Sequence, residues 1–240
     1  MEQEPSLAEL QRKWIETDDG ETAQEYGLAL EAVGRIDDAA AVHGRAVELG
    51  YLSGNFNLAW IERERGNVAR AIELLEDYLA SDDDPDEFTL HVTGVLGHWR
   101  WYLNNDVEAE PLLRRGLDHW EDARADLASL LKATGRLTEA IAVLRSGVAL
   151  AEVGSFIPLA NIVEEAGDLE EAESLLRRGF ALGDAFSAYN LYVLLKELDR
   201  VEEAQEWLWL AAAGGDELAI RRLTEQIDHG EDDASDSPES

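Results

Sequence analysis

Residues 172–179 read AESLLRRG, and residues 109–116 read AEPLLRRG, the same eight letters with one change at a separation of 63 positions. A recurrence of that length calls for an internal period before any other reading. Worked outward from GDLEEA at 167–172, the pattern Gly-x-apolar-x-x-Ala returns as GRIDDA at 34–39, GNVARA at 66–71 and GRLTEA at 135–140. DRVEEA at 199–204 fits with Asp for Gly, and NNDVEA at 104–109 aligns with Asn in the Gly slot. Eight residues upstream of each stand Tyr26, Leu58, Leu96, Leu127, Leu159 and Leu191, spaced by 32, 38, 31, 32 and 32 residues. The residue after each is Gly27, Ala59, Gly97, Ala128, Ala160 and, exceptionally, Tyr192. Six units in register at two separate positions define a repeat array.

One unit reads as two antiparallel helices. In FIPLANIVEEA, Phe156, Leu159, Ala160 and Val163 recur at the i, i+3, i+4, i+7 spacing of an apolar helical face. Gly167 supplies a left-handed stop and Asp168 an N-cap, after which Leu169, Ala172, Leu176 and Phe180 form a second stripe. The Arg pairs 114/115 and 177/178 are expected to face solvent. The small residues at matched positions let helices approach closely, because a ridge meets a groove at short range only where a side chain is missing or is a methyl group. A single pair cannot bury both faces, so the units are expected to stack.

Leu-(Gly/Ala) in the first helix, Gly before the second and Ala within it resemble the tetratricopeptide repeat over about residues 20–215. AQEWLWLAAAGGDELA (204–219) is similar to the related Sel-one-like repeat through Ala204, Trp207, Ala211, Ala212, Gly215 and Ala219. The resemblance implies an all-α, right-handed superhelical solenoid of about six antiparallel helix pairs with capping helices at both ends. The expected divisions are an N-terminal capping segment at 1–19, using Leu7, Leu10 and Trp14, the repeat solenoid at 20–228, and a disordered acidic tail at 229–240. GDELAIRRL (215–223) echoes GDAFSAYNL (183–191), so residues 216–228 should form a closing, unpaired first helix. SDDDPDEF (81–88) reads as an acidic loop inserted between the second and third units.

The chain has 52 acidic and 20 basic residues, a formal net charge of −32, which repels phosphate backbones and anionic lipid surfaces. Neither nucleic acid nor membrane is therefore an expected partner. The acidity itself serves solubility or salt adaptation in one reading and a basic partner in the other. With no cysteine, disulfides, thiolate metal sites and cysteine nucleophiles are excluded. The N-terminus shows no signal-peptide pattern, and no run of about 18 apolar residues occurs, so the expected location is cytoplasmic.

His43, His91, His98, His119 and His229 form no zinc-binding spacing, and neither a phosphate-cradling Gly-rich loop nor a Gly-x-Ser-x-Gly turn occurs. The expectation is a non-enzymatic protein with no catalytic residue, metal or cofactor. The family resemblance instead implies a concave groove, lined by first helices, that holds a peptide or helix of a partner protein. Carried over by position, its candidates are Phe56, Trp60 and Arg63 in the second unit and His91, His98, Trp101 and Tyr102 in the third. Ser129 and Lys132 follow in the fourth, Asn161 in the fifth, and Tyr189 and Lys196 in the sixth. Phe56 and Trp60 stand where chaperone-binding members carry a Lys/Asn carboxylate clamp. HWRWYLNND (98–106) is the most unusual segment, readable as an aromatic contact wall or as rings that fill space, with Trp99 assigned to the core. Two other readings compete with the binding module: an inhibitor or immunity-type protein that neutralises a basic enzyme, and a ligand-sensing regulatory domain.

Overall fold

The computed structural model describes residues 5–81, 86–104 and 106–235, with the side chains from residue 227 onward excepted. All regular structure among them is helical. The chain divides into two compact units, residues 1–126 and 127–240. The first contains α1 (Leu7–Thr17), α2 (Gly20–Ala32), α3 (Ile36–Glu48), α4 (Ser53–Glu64), α5 (Val68–Ser81), α6 (Glu87–Asn104) and α7 (Glu110–Arg115). Helix α8 (Ala123–Ala133) crosses the division. The second contains α9 (Leu137–Ala149), α10 (Phe156–Glu165), α11 (Leu169–Ala181), α12 (Ala185–Glu197), α13 (Val201–Ala213) and α14 (Glu217–Ser235).

The repeat register becomes packing at the positions the sequence marks. Ala39, Ala71, Ala109, Ala140, Ala172 and Ala204 are all fully buried, as are Ala59 and Ala160. Within a pair the helices run antiparallel through a short turn, and inside each unit the second helix of a pair packs on the next first helix, α3 on α4 and α5 on α6 in the first, α9 on α10, α11 on α12 and α13 on α14 in the second. In the fifth repeat Gly167 takes φ +87° and the Asp168 carboxylate accepts from the Glu171 amide at 3.0 Å. In the sixth, Asp199 adopts the same left-handed region at φ 58°, a conformation that Asp tolerates better than most residues. Leu176 and Leu113, the shared leucines of the two octapeptides, are both buried, each contributing about 1.5–3 kcal/mol of transfer free energy.

In the fifth repeat Arg178 is exposed as expected, and Arg177 departs from expectation. Arg177 bonds Glu173 at 2.7 Å and also Glu203, while Arg200 reaches Glu173 at 2.5 Å, so two arginines and two glutamates clamp α11 to α13. Arg177 also lies 5.2 Å from the Trp207 ring, and Arg178 5.3 Å from that of Phe156. Both therefore cover aromatic core with their stems and charge.

At the front, α1 starts with a capping box between Ser6 and Glu9 and lays Leu7, Leu10 and Trp14 on the α2–α3 core. The third repeat is the irregular one. Its second helix begins as a 3-10 turn (Val107–Ala109) and continues as the short α7, with Pro111 in the first turn, where its missing N–H has no partner to lose. Of the expected acidic insertion, α5 runs to Ser81 and α6 begins at Glu87, and residues 82–85 lie outside the described residues. At the other end Asp216 caps α14 through the Ala219 amide at 2.8 Å. That helix runs to Ser235, through part of the stretch expected to be a disordered tail, and residues 236–240 lie outside the described residues.

Candidate functional site

Helix α4 places Phe56, Trp60 and Arg63 on one stripe at i, i+4, i+7, and α6 places His91, His98 and Tyr102 on another at i, i+7, i+11. The two stripes meet. Phe56 lies 5.9 Å from His91 and 5.2 Å from Phe88, and Trp60 stands edge-on to Trp99 at 5.0 Å. His91 and His98 contact the Trp120 ring at 5.5 and 5.7 Å, and His98 stacks on Tyr102 at 5.4 Å with the planes 11° apart. A continuous sequence of ring contacts thus runs from α4 along α6 within the first unit. The Arg63 guanidinium sits over two indoles, 5.3 Å from Trp60 and 5.6 Å from Trp99.

The two imidazoles are oriented. His91 Nδ1 lies 2.9 Å from the His119 carbonyl, which can only accept, so Nδ1 carries the proton. His98 Nδ1 lies 2.6 Å from the Asp126 carboxylate, which fixes the same tautomer. In neutral form each ring therefore keeps its Nε2 lone pair as an acceptor. Most of the ring surface is internal, Trp99 being fully buried as expected. Among the neighbours Trp101 and Tyr102, Trp101 is 8% exposed and Tyr102 is 68% exposed, so only Tyr102 presents its ring to solvent.

In the second unit the candidates are separate. Lys132 bonds Glu165 at 2.7 Å, and Ser129 and Asn161 are exposed. Tyr189 and Lys196 share a cleft with Tyr192, whose ring lies 5.6 Å from Tyr189 and 5.8 Å from the Lys196 ammonium. On α10, burial first and then the Glu197 and Glu165 charges push the Glu164 carboxyl above its ordinary range.

Three members of the first-unit cluster were not among the sequence candidates. Phe88 is one turn before His91 on the same stripe and was legible by spacing. Trp120 follows α7 in an irregular turn, where no periodicity places it, although a signal existed: a Cβ on Gly94 would overlap the Trp120 side chain. Asp126 reaches His98 across 28 residues, which only the packing reveals.

Among the described residues no group of three or more His, Asp or Glu is placed to hold a metal ion, and no helix is long and apolar enough to cross a membrane. No family model and no curated protein matches the chain. Solved structures do match. The chain is similar to PilW, a widely conserved type IV pilus biogenesis factor, at 15% identity and a TM-score of 0.67 over 85% of this chain and 98% of that one. It is similar to the APC/C hetero-tetramer Cut9-Hcn1 at 13% identity and a TM-score of 0.64, over 92% of this chain and 45% of the other. A Podosopora anserina putative kinesin light chain with nearly identical TPR-like repeats matches at 21% identity and a TM-score of 0.53, over 68% and 93%. These likenesses establish a tetratricopeptide-like fold.

Proposed function

We propose that this chain is a non-enzymatic protein-interaction module, which holds a peptide or helix of a partner protein against the aromatic surface of α4 and α6. The observation that carries the reading is Tyr102, exposed yet stacked on an imidazole that Asp126 holds in place. A large ring already fixed before binding loses little conformational entropy on contact, and Tyr, Trp and Arg dominate interface energetics. The excess of acidic residues favours a basic segment by steering its approach. That one similar structure is a hetero-tetramer, Cut9-Hcn1, fits a scaffold role. The test is capture of partners by the immobilised chain from extracts of its native source, with Tyr102→Ala alongside the parent. A hot-spot loss of about 2 kcal/mol or more, a roughly thirtyfold weaker capture, is expected. Equal capture by both proteins would refute the site.

In the same reading, residues 1–19 cap the array, 20–228 form the interaction solenoid and 229–240 are an acidic tail, in a protein of the cytoplasm. The last repeat is assigned to the Sel-one-like type, supported by the complete burial of Ala204, Ala211 and Ala219 and by the left-handed Gly215 at φ +89°.

A further inference from the structure

The second unit holds a cleft whose charge runs against the rest of the chain. Its larger part, about 340 Å³, is lined by Tyr189, Tyr192, Val193, Lys196, Glu197 and Arg222. A second part of about 260 Å³ shares Tyr189 and Arg222 and adds Leu218, Arg221 and Glu225. Elsewhere in this unit Lys132, Arg136, Arg145, Arg177 and Arg200 are each bonded to a carboxylate, and Arg178 lies over the Phe156 ring. Within the cleft, by contrast, Lys196 and Arg221 have no carboxylate at ion-pair distance among the described residues, and Arg222 has only Glu225 at 3.5 Å. In a chain of net charge −32, a concave surface where cations outnumber the carboxylates beside them favours an anion from outside.

We propose that this α12–α14 cleft is a second binding site, which takes a carboxylate side chain of an acidic segment on a partner protein. Three cations against two carboxylates leave one net positive charge in the cleft. That balance matches a carboxylate and falls short of a phosphate dianion. The arginines offer forked donors suited to a planar carboxylate, and Lys196 adds a point charge. Arg222 lines the cleft beside Tyr192, and its ion-pair partner there is Glu225 at 3.5 Å. Exposed Val193 and Leu218 give the methylene stem of a glutamate an apolar wall. The site belongs to the second unit alone and does not depend on the aromatic surface of the first.

The experiment is fluorescence anisotropy of a fluorescein-labelled Glu-Gly repeat peptide, amidated at its C-terminus, titrated with the full chain. It is run at physiological ionic strength, where the Debye length is about 8 Å and the remote acidic residues are screened while contacts in the cleft persist. Saturable binding is expected, absent for the Gln-Gly peptide and weakened about tenfold or more by Lys196→Gln combined with Arg221→Gln. Both positions are exposed, and circular dichroism checks that the fold is kept. Arg70→Gln removes an exposed cation of the first unit and should leave binding unchanged. The proposal is overturned if the parent does not bind, if the double variant binds equally, or if inorganic phosphate displaces the peptide as well as free glutamate does. Failure of the Tyr102 capture test would leave this result standing, and the converse also holds.

Discussion

Gly97 and Gly44 both lie inside helices, and the structure assigns opposite signs to the same substitution at the two sites. A Cβ on Gly97 would meet the Leu113 backbone nitrogen at 2.9 Å, Leu113 Cγ at 3.0 Å and Leu112 Cβ at 3.1 Å. The first of these cannot rotate away, so Gly97→Ala must push α7 off α6. Overpacking of this kind costs about 1–3 kcal/mol, against about 1 kcal/mol gained from helix propensity. The net loss is up to about 2 kcal/mol, which for a chain of this size lowers Tm by up to about 8 °C. A Cβ on Gly44 meets nothing within 4 Å, so Gly44→Ala in α3 retains only the propensity gain. That gain is about 0.5–1 kcal/mol, or a Tm higher by roughly 1–4 °C. Thermal unfolding followed by circular dichroism at 222 nm reads both, as an order of magnitude for helical signal. Shifts of the same sign, or a Gly97→Ala variant at least as stable as the parent, would refute the close-packing account of the repeat.

The buried His43 imidazole, between Glu31 at 2.6 Å and the Gln24 amide at 2.8 Å, has its pKa lowered by burial first, with Glu31 opposing. A histidine neutral in the fold and chargeable when unfolded contributes stability above its unfolded value of about 6.5, lost as pH falls towards the folded value. NMR titration should find His43 below 6.5, and a value above it would reverse the sign. Glu173 and Glu203 are held below the ordinary carboxylate range, Glu173 chiefly by Arg200 and Glu203 chiefly by Arg177. Their contribution is therefore present above about pH 4.5 and fades as pH falls through the folded values. Glu173→Gln should lower the urea midpoint at low salt and less so in molar salt; a salt-independent loss would point to packing instead. Trp99→Ala should destabilise by about 3–5 kcal/mol, whereas Tyr102→Ala should stay within about 0.5 kcal/mol of the parent in the same denaturation assay. Comparable losses would mean that Tyr102 is a packing residue.

The helix pairs were legible because a stacked repeat imposes the same local demands every 32 residues or so. Ala172 and Ala109 are both fully buried at the matched position of their second helices, and Gly167 takes the left-handed φ of +87° that glycine adopts without strain. The third repeat departs from the common pattern in the sequence, at Pro111 and in the long spacing before it, and the structure forms its second helix as a 3-10 turn followed by α7. The candidates on α4 and α6 came from the family resemblance, carried over by position. What spacing could not give was their mutual contact, the orientation of His98 by Asp126, or the difference between Trp101 and Tyr102. Adjacent residues on a helix point about 100° apart, and which of the two directions is covered depends on neighbours far along the chain.

The sequence by itself determined the fold class and the repeat register, because helix period, glycine stops and methyl-sized contacts are local or nearest-neighbour requirements. Only the tertiary structure decided which aromatic rings are core, as Trp99 and Trp101 are, and which are offered to solvent, as Tyr102 is. It alone showed that Arg177 clamps two helices where solvent exposure was expected, and that Lys196, Arg221 and Arg222 share a cleft with few counter-charges. Exposure and charge pairing depend on the distance between side chains remote in sequence, a quantity that a repeat pattern constrains only where the repeats are alike.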